Sequence, residues 1–148
     1  MSTYTQILYH LVFSTKHRKA CLIKENRPAL FKYIWGILNQ KNCHLYRING
    51  VEDHIHLVTH IHPAIAVAAL VKDIKVASSG YIKKMQLFPE FDGWQVGYGA
   101  FTYSYSVKTA LIEYVIKQEE HHRKTSYRDE LIALLKEHTI AFDERFLD

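Results

Sequence analysis

Residues 43–61, CHLYRINGVEDHIHLVTHI, decide how this sequence folds. They read as two strands around a polar turn, Asn49 to Asp53, in which Asn49-Gly50 is a favourable turn dipeptide. The second strand carries histidines at 54, 56, 60 and 62, all at even positions of one apolar run. Side chains at i and i+2 of a strand share a face. His54 and His56 therefore project side by side, while Ile55 points into the opposite layer.

Working outward, QILYHLVFST (6–15) is dense in β-formers and apolar at both parities, which predicts a central strand or one covered on both faces. RPALFKYIWGILNQ (27–40) aligns Leu30, Tyr33, Ile34 and Ile37 at helical spacing, with Pro28 suited to the first turn. AIAVAALVKDIKVASSGYIKKM (64–85) reads as a second helix with a break near Ser78-Ser79-Gly80. GWQVGYGAFTYS (93–104) reads as a strand whose glycines let another backbone or a ligand approach closely. Ser106 is the expected N-cap of VKTALIEYVIKQEEHH (107–122), and the basic residues 121–124 suit the negative end of that helix. YRDELIALLKEH (127–138) is a final short helix. The order β-α-β-β-α-β-α-α opens with the ferredoxin-like (RRM-like) α+β pattern, an antiparallel four-stranded sheet with helices on one face. The other face is left for a ligand or for the C-terminal helices.

A chain of 148 residues fits one domain, expected over 1–148. A net charge of +4 is compatible with a nucleic-acid partner without demanding one. Cys21 and Cys43 are too far apart in sequence for a zinc knuckle and too few for a disulfide framework, which points to a reducing, cytoplasmic setting. MSTYTQILYH has no charged segment leading into a long apolar run, so no signal peptide is expected, and no apolar stretch is long enough to span a membrane.

His-hydrophobe-His on one strand is a two-point metal site whose free ring N–H groups need orienting acceptors. One flat strand face cannot wrap a tetrahedral ion, and Val58 interrupts the parity, so His60 and His62 read as strand-end residues that support the site or face substrate. A further ligand has to come from elsewhere. Tyr114 and Gln118 lie at i and i+4 on one helix face flanked by Leu111 and Val115, and a Gln carbonyl oxygen can complete a two-His, one-oxygen site. Taken alone, these two residues read as a core aromatic and a solvated amide.

Taken together, the segments resemble a family. GVEDHIHLV (50–58) followed by YVIKQEEHH (114–122) resembles the paired motifs of the HUH single-tyrosine transposases, specifically the IS200-like group of minimal insertion sequences. IKVASS (74–79) is similar to that group's Lys-x-x-Ser-Ser segment. GWQVGYGAFTYS is similar to its Trp…Gly-Tyr strand, and SYRDELIALLKEHTIAFDERFL (126–147) to its C-terminal end. One departure is Glu52, where the family often has proline; this should alter the turn and spare the ligands.

The resemblance implies a metal-dependent transposase that cleaves and rejoins single-stranded DNA at hairpin-bearing element ends. It implies Tyr114 as the nucleophile, linked to the 5′ phosphate, and His54, His56 and Gln118 as holders of Mn²⁺ or Mg²⁺. No nucleotide cofactor is needed, since the phosphotyrosine keeps the bond energy. It further implies a homodimer, with the tyrosine helix acting in cis or in trans. Lys72, Lys75, Lys83, Lys84, Arg123 and Lys124 are candidate phosphate contacts. Tyr127 is the rival nucleophile, but its i+4 neighbour Leu131 cannot ligate, while Tyr103 and Tyr105 are placed to stack on bases. The competing readings are a non-catalytic single-stranded nucleic-acid-binding module of the same fold, and a metal sensor built on the four histidines.

Overall fold

The computed structural model describes residues 2–147. Strands β1 (Leu8–Ser14), β2 (Leu45–Gly50), β3 (His54–His60) and β4 (Gly99–Thr102) form one sheet in the order β2-β3-β1-β4, with every neighbouring pair antiparallel. Helices α1 (Arg27–Gln40) and α2 (Val67–Met85) make the two crossovers, and α3 (Lys108–Ile116), α4 (Gln118–His122) and α5 (Tyr127–Glu137) follow the last strand. This is the expected ferredoxin-like arrangement, with the C-terminal helices added.

The alternation of β1 and β3 divides the interior into two layers. Leu11, Phe13, Ile55 and Leu57 pack against Leu30 and Ile34 of α1 and Leu70 and Ile74 of α2. The other parity meets the C-terminal helices: Leu8 and Val58 pack on Leu111 and Val115 of α3, and Val12 and Phe101 on Tyr127 and Leu134 of α5. Covering both faces explains why β1 is apolar at both parities. His54 and His56 thus face the second layer, opposite Ile55.

Several boundaries differ from the sequence reading, each for a tertiary reason. Asn49-Gly50 is not the turn: both residues stay in the ladder, opposite His56 and Ile55, and the turn is residues 51–53. Glycine is needed at 50 for close approach, because a Cβ there would stand 2.6 Å from the His54 carbonyl oxygen and 2.8 Å from Ile55 Cγ2. Glu52 holds the turn with its backbone, its carbonyl accepting from the N–H groups of Cys21 and Leu22. Helix α2 runs unbroken through Ser78-Ser79-Gly80, where the buried Ser78 hydroxyl accepts a hydrogen bond from Trp94 Nε1 at 3.0 Å. Strand β4 is only Gly99–Thr102, since Gly93 and Gly97 take positive φ (130° and 101°) and leave a single bridge, Thr15 to Trp94, before it. Ser104 takes the capping position expected of Ser106, accepting from the Ser106 N–H ahead of a short 3-10 turn that leads into α3.

The helix expected over 107–122 is divided at Lys117 (φ −88°, ψ 19°). Asn49 Nδ2 donates to the carbonyls of Val115 and Ile116, both at 3.0 Å, so a side chain from β2 ties down the end of α3. Cys21 and Cys43 are buried free thiols. Among the described residues, no helix is long and apolar enough to cross a membrane.

Gly50→Ala should destabilise the fold by ~1–3 kcal/mol, since the methyl meets backbone and a packed isoleucine rather than a flexible chain end. A urea melt checks this through a lowered midpoint at unchanged slope.

Candidate active site

Strand β3 presents His54 and His56 to the second layer with no exposed surface. Each ring is oriented through Nδ1. His54 Nδ1 lies 2.6 Å from Asp53 Oδ1, and His56 Nδ1 lies 2.7 Å from Nε2 of His10, a buried residue of β1. Both Nε2 atoms are thereby aimed at Glu130 of α5 and His122 of α4. His122 Nε2 is 3.0 Å from His54 Nε2. Glu130 Oε1 is 3.0 Å from Nε2 of His56, 3.0 Å from that of His122 and 3.4 Å from that of His54. The other carboxylate oxygen, Oε2, accepts from the Tyr114 hydroxyl and from Gln118 Nε2 at 3.2 Å, with His121 Nε2 3.4 Å away.

Burial alone would push the Glu130 carboxyl upward, but the imidazoles of His122, His54 and His56 around it hold it well below the usual carboxylate range. Burial lowers His56 to about 4, even against the pull of Glu130, so this ring is neutral. Burial also acts to lower His54, but Asp53 and Glu130 outweigh it and the net shift is upward. Tyr114 is raised, first by burial and then by the Glu130 charge, so the phenol keeps its proton in the resting site.

The donor set fits a divalent metal. Donors bound at ~2.1 Å in a tetrahedral or octahedral shell stand about 3.0–3.4 Å apart at neighbouring positions. The ligand atoms of His54, His56, His122 and Glu130 all lie within 4.8 Å of one another, with the contacts above at 3.0–3.4 Å. Among the described residues, four buried atoms there lack a hydrogen-bond partner: His10 Nδ1, His56 Nε2, Gln118 Oε1 and His121 Nε2. Three nitrogens and an oxygen suit a transition ion such as Mn²⁺ better than Mg²⁺.

Of the residues expected from sequence, His54, His56, Tyr114 and Gln118 are brought together in one chain. The Tyr114 ring centroid is 6.0 Å from that of His56, and Gln118 is fully buried next to Glu130. Tyr114 lines a cleft of about 640 Å³ between α3 and α5 with Tyr103, Leu111, Glu130 and Leu134. Tyr127 is also near, its ring 4.6 Å from that of His54, but it is buried and its hydroxyl donates to Gln95 Oε1.

Lys72, Lys83 and Lys84 are exposed on α2, across the sheet from Tyr114. Lys75 donates to the carbonyls of Gln95 (2.9 Å) and Gly97. Arg123 and Lys124 are exposed just after α4, and Arg123 lines a second cleft with Lys24, Arg27 and His122. His60 and His62 stand apart from the cluster, each Nδ1 accepting a backbone N–H, from Ile7 and from Ala64 respectively, at 3.1 Å. Tyr105 is exposed, and the Tyr103 hydroxyl pairs with His138 Nε2 at 3.1 Å.

His10 and Glu130 were not singled out by the sequence, and His122 entered only through the YVIKQEEHH motif and the basic end of its helix, with no ligand role. His10 had a usable signal, since it is the polar residue inside an otherwise apolar strand core, LYHLVF. Glu130 had none, being one acidic residue among several on a short amphipathic helix.

Residues 3–118 match the model of the family described as Transposase IS200 like. The chain belongs to the IS200-like transposase family. It is 26% identical over 120 residues to the ISDra2 transposase TnpA of Deinococcus radiodurans, a match covering 78% of this chain and 86% of that one. It is 25% identical over 119 residues to the transposase for insertion sequence element IS200 of Salmonella typhimurium, covering 75% of each. Two solved structures share the fold. One, a Deinococcus radiodurans R1 protein assigned as a transposase, aligns at a TM-score of 0.63 and 24% identity over 80% of this chain and 95% of that one. The other, a REP-associated tyrosine transposase bound to a REP hairpin, aligns at 0.60 and 11% over 82% and 74%. Membership makes this IS200-like chain an enzyme that acts on DNA. The family match ends at Gln118, so His122 and Glu130 lie beyond it.

His10→Leu should leave the fold intact and weaken Co²⁺ binding by about 10–100-fold, because His56 then loses the partner that orients its ring. Isothermal titration with Co²⁺ measures this, and an unchanged affinity would deny His10 an orienting role.

Proposed function

We propose that this IS200-like transposase cuts and rejoins single-stranded DNA with Tyr114 as nucleophile and with His54, His56 and Gln118 as metal ligands. One observation carries the reading: the Tyr114 hydroxyl and Gln118 Nε2 meet one oxygen of Glu130 while its other oxygen faces the two strand histidines, in a single site that a cleft reaches. A bound divalent ion, Mn²⁺ or Mg²⁺, would supply positive charge against the scissile phosphate.

The chain's own residues account for the rest. His10 and Asp53 fix the two imidazoles, and burial keeps His56 neutral and able to ligate. The Tyr114 oxygen forms a bond to phosphorus as the bond from phosphorus to the 3′ oxygen breaks. The phenol loses one proton and the departing 3′-OH carries one, so the exchange balances. Bond energy is kept in the phosphotyrosine, and a 3′-OH can reverse the attack without a nucleotide cofactor.

Arg123 and Lys124, beside α4, are the nearest of the expected phosphate contacts, whereas Lys72, Lys83 and Lys84 would serve DNA that wraps to the α2 face. The substrate we assign is a hairpin with a single-stranded flank. A protein of the same fold has been solved bound to a REP hairpin, which supports this choice. A homodimer and a cytoplasmic setting complete the proposal; the mass of the purified chain by light scattering tests the first.

Incubating the protein with Mn²⁺ and a single-stranded hairpin oligonucleotide should give a covalent protein–DNA species on a denaturing gel. Tyr114→Phe abolishes it and Tyr127→Phe retains it. An adduct surviving Tyr114→Phe rejects the nucleophile. Hairpin binding without cleavage under any divalent metal favours a non-catalytic binding module.

A further inference from the structure

We propose that Glu130 bridges the metal and the nucleophile, with Oε1 as a metal ligand beside His54, His56 and His122, and Oε2 as the acceptor that holds the Tyr114 hydroxyl. The inference rests on the site reading above and adds to it a residue that lies outside the family match.

The geometry separates the two oxygens by task. Oε1 faces imidazole nitrogens only, at 3.0, 3.0 and 3.4 Å. Oε2 faces the Tyr114 hydroxyl and Gln118 Nε2, with His121 at its edge. The contact between Oε1 and His56 Nε2 is close without being an aligned hydrogen bond, and that nitrogen is left without a partner. Two lone pairs that converge without a shared proton are what an intervening cation accommodates. His54 Nε2 and His122 Nε2 stand 3.0 Å apart beside it, paired by a hydrogen bond in the resting site.

Glu130 is 2% exposed, so its carboxylate cannot be solvated in place of these partners. Tyr114 reaches Oε2 from α3 while Glu130 descends from α5, so one carboxylate joins both C-terminal helices to the β3 histidines. With Oε1 on the metal, Oε2 keeps the phenol oxygen next to the charge that would neutralise an attacked phosphate. A carboxylate can do this because it offers two acceptors on one rigid plane.

The test reads metal binding and the tyrosine environment rather than turnover. Purified wild-type chain, Glu130→Gln, Glu130→Asp, Tyr114→Phe, His54→Ala, His56→Ala and the exposed control Glu120→Gln are titrated with Co²⁺. Affinity is followed by calorimetry and the tyrosines by ultraviolet difference absorption. Circular dichroism confirms folding.

Glu130→Gln should weaken Co²⁺ binding by about 10-fold or more, with Glu120→Gln unchanged. Wild type should give a tyrosine difference signal on binding that both Tyr114→Phe and Glu130→Gln lack. Wild-type affinity in Glu130→Gln overturns the ligand role. A tyrosine signal that persists in Glu130→Gln, or survives in Tyr114→Phe, overturns the bridge. If Glu130→Gln does not fold, Glu130→Asp decides: its shorter carboxylate cannot reach both partners, and the proposal fails if affinity and signal both stay at wild-type values. Should His54→Ala and His56→Ala also bind Co²⁺ normally, the metal site itself is rejected; failure at Glu130 alone leaves the proposed function standing.

Discussion

Strand β3 is buried on both faces, and the rest of the molecule follows from that constraint. Its two-residue period sends Ile55 and Leu57 into the α1/α2 layer and His54, His56 and Val58 into the layer of the C-terminal helices. Apolar residues on the first side need only be covered. Imidazoles on the second side need partners, because a buried polar group without one costs free energy that packing does not return. Asp53 and His10 supply partners at Nδ1 from the flanking turn and the neighbouring strand. Helix α4 supplies one at His54 Nε2 through His122, and α5 sets the Glu130 carboxylate 3.0 Å from the unpaired His56 Nε2. The second helical layer is thus both the cover of the sheet and the completion of the site.

The sheet was legible because its evidence is local. Dense β-formers and apolar residues at both parities of 6–15 announced a central strand, and the order of elements announced the ferredoxin-like pattern. What misled were residues whose partners lie far along the chain. Gly50 has the composition of a turn, yet its requirement is steric and comes from β3 across the ladder. Ser78 resembles a helix breaker until Trp94 is seen to donate to it. The division of the helix expected over 107–122 falls at Lys117, where Asn49 of β2 ties down the carbonyls of Val115 and Ile116.

The site divides in the same way. His54 and His56 were visible through strand parity, and Tyr114 and Gln118 through helical spacing strengthened by the family resemblance. His60 and His62 share the parity of the first pair, but β3 ends at His60, and both serve backbone N–H groups instead. Glu130 was invisible because nothing in DELIALLKE distinguishes a surface carboxylate from a buried one. Only the position of α5 does so, and α5 is placed in part by Glu130 itself.

That mutual dependence bears on how the centre is reached. An ionised carboxylate in the interior is tolerated only where charge and hydrogen bonds surround it. Glu130 meets this condition with four histidines, a phenol and an amide. The apolar contribution of α5 is modest by comparison, chiefly Tyr127 and Leu134 against Val12 and Phe101. The seat of α5 is therefore polar as well as hydrophobic. His54 and His56 have no exposed surface, whereas Tyr114 and Glu130 line the cleft between α3 and α5. A group arriving through that cleft meets Tyr114, His121 and the largely buried Glu130 before it meets His54 and His56, so the carboxylate that orders the resting site lies between the cleft and the strand histidines.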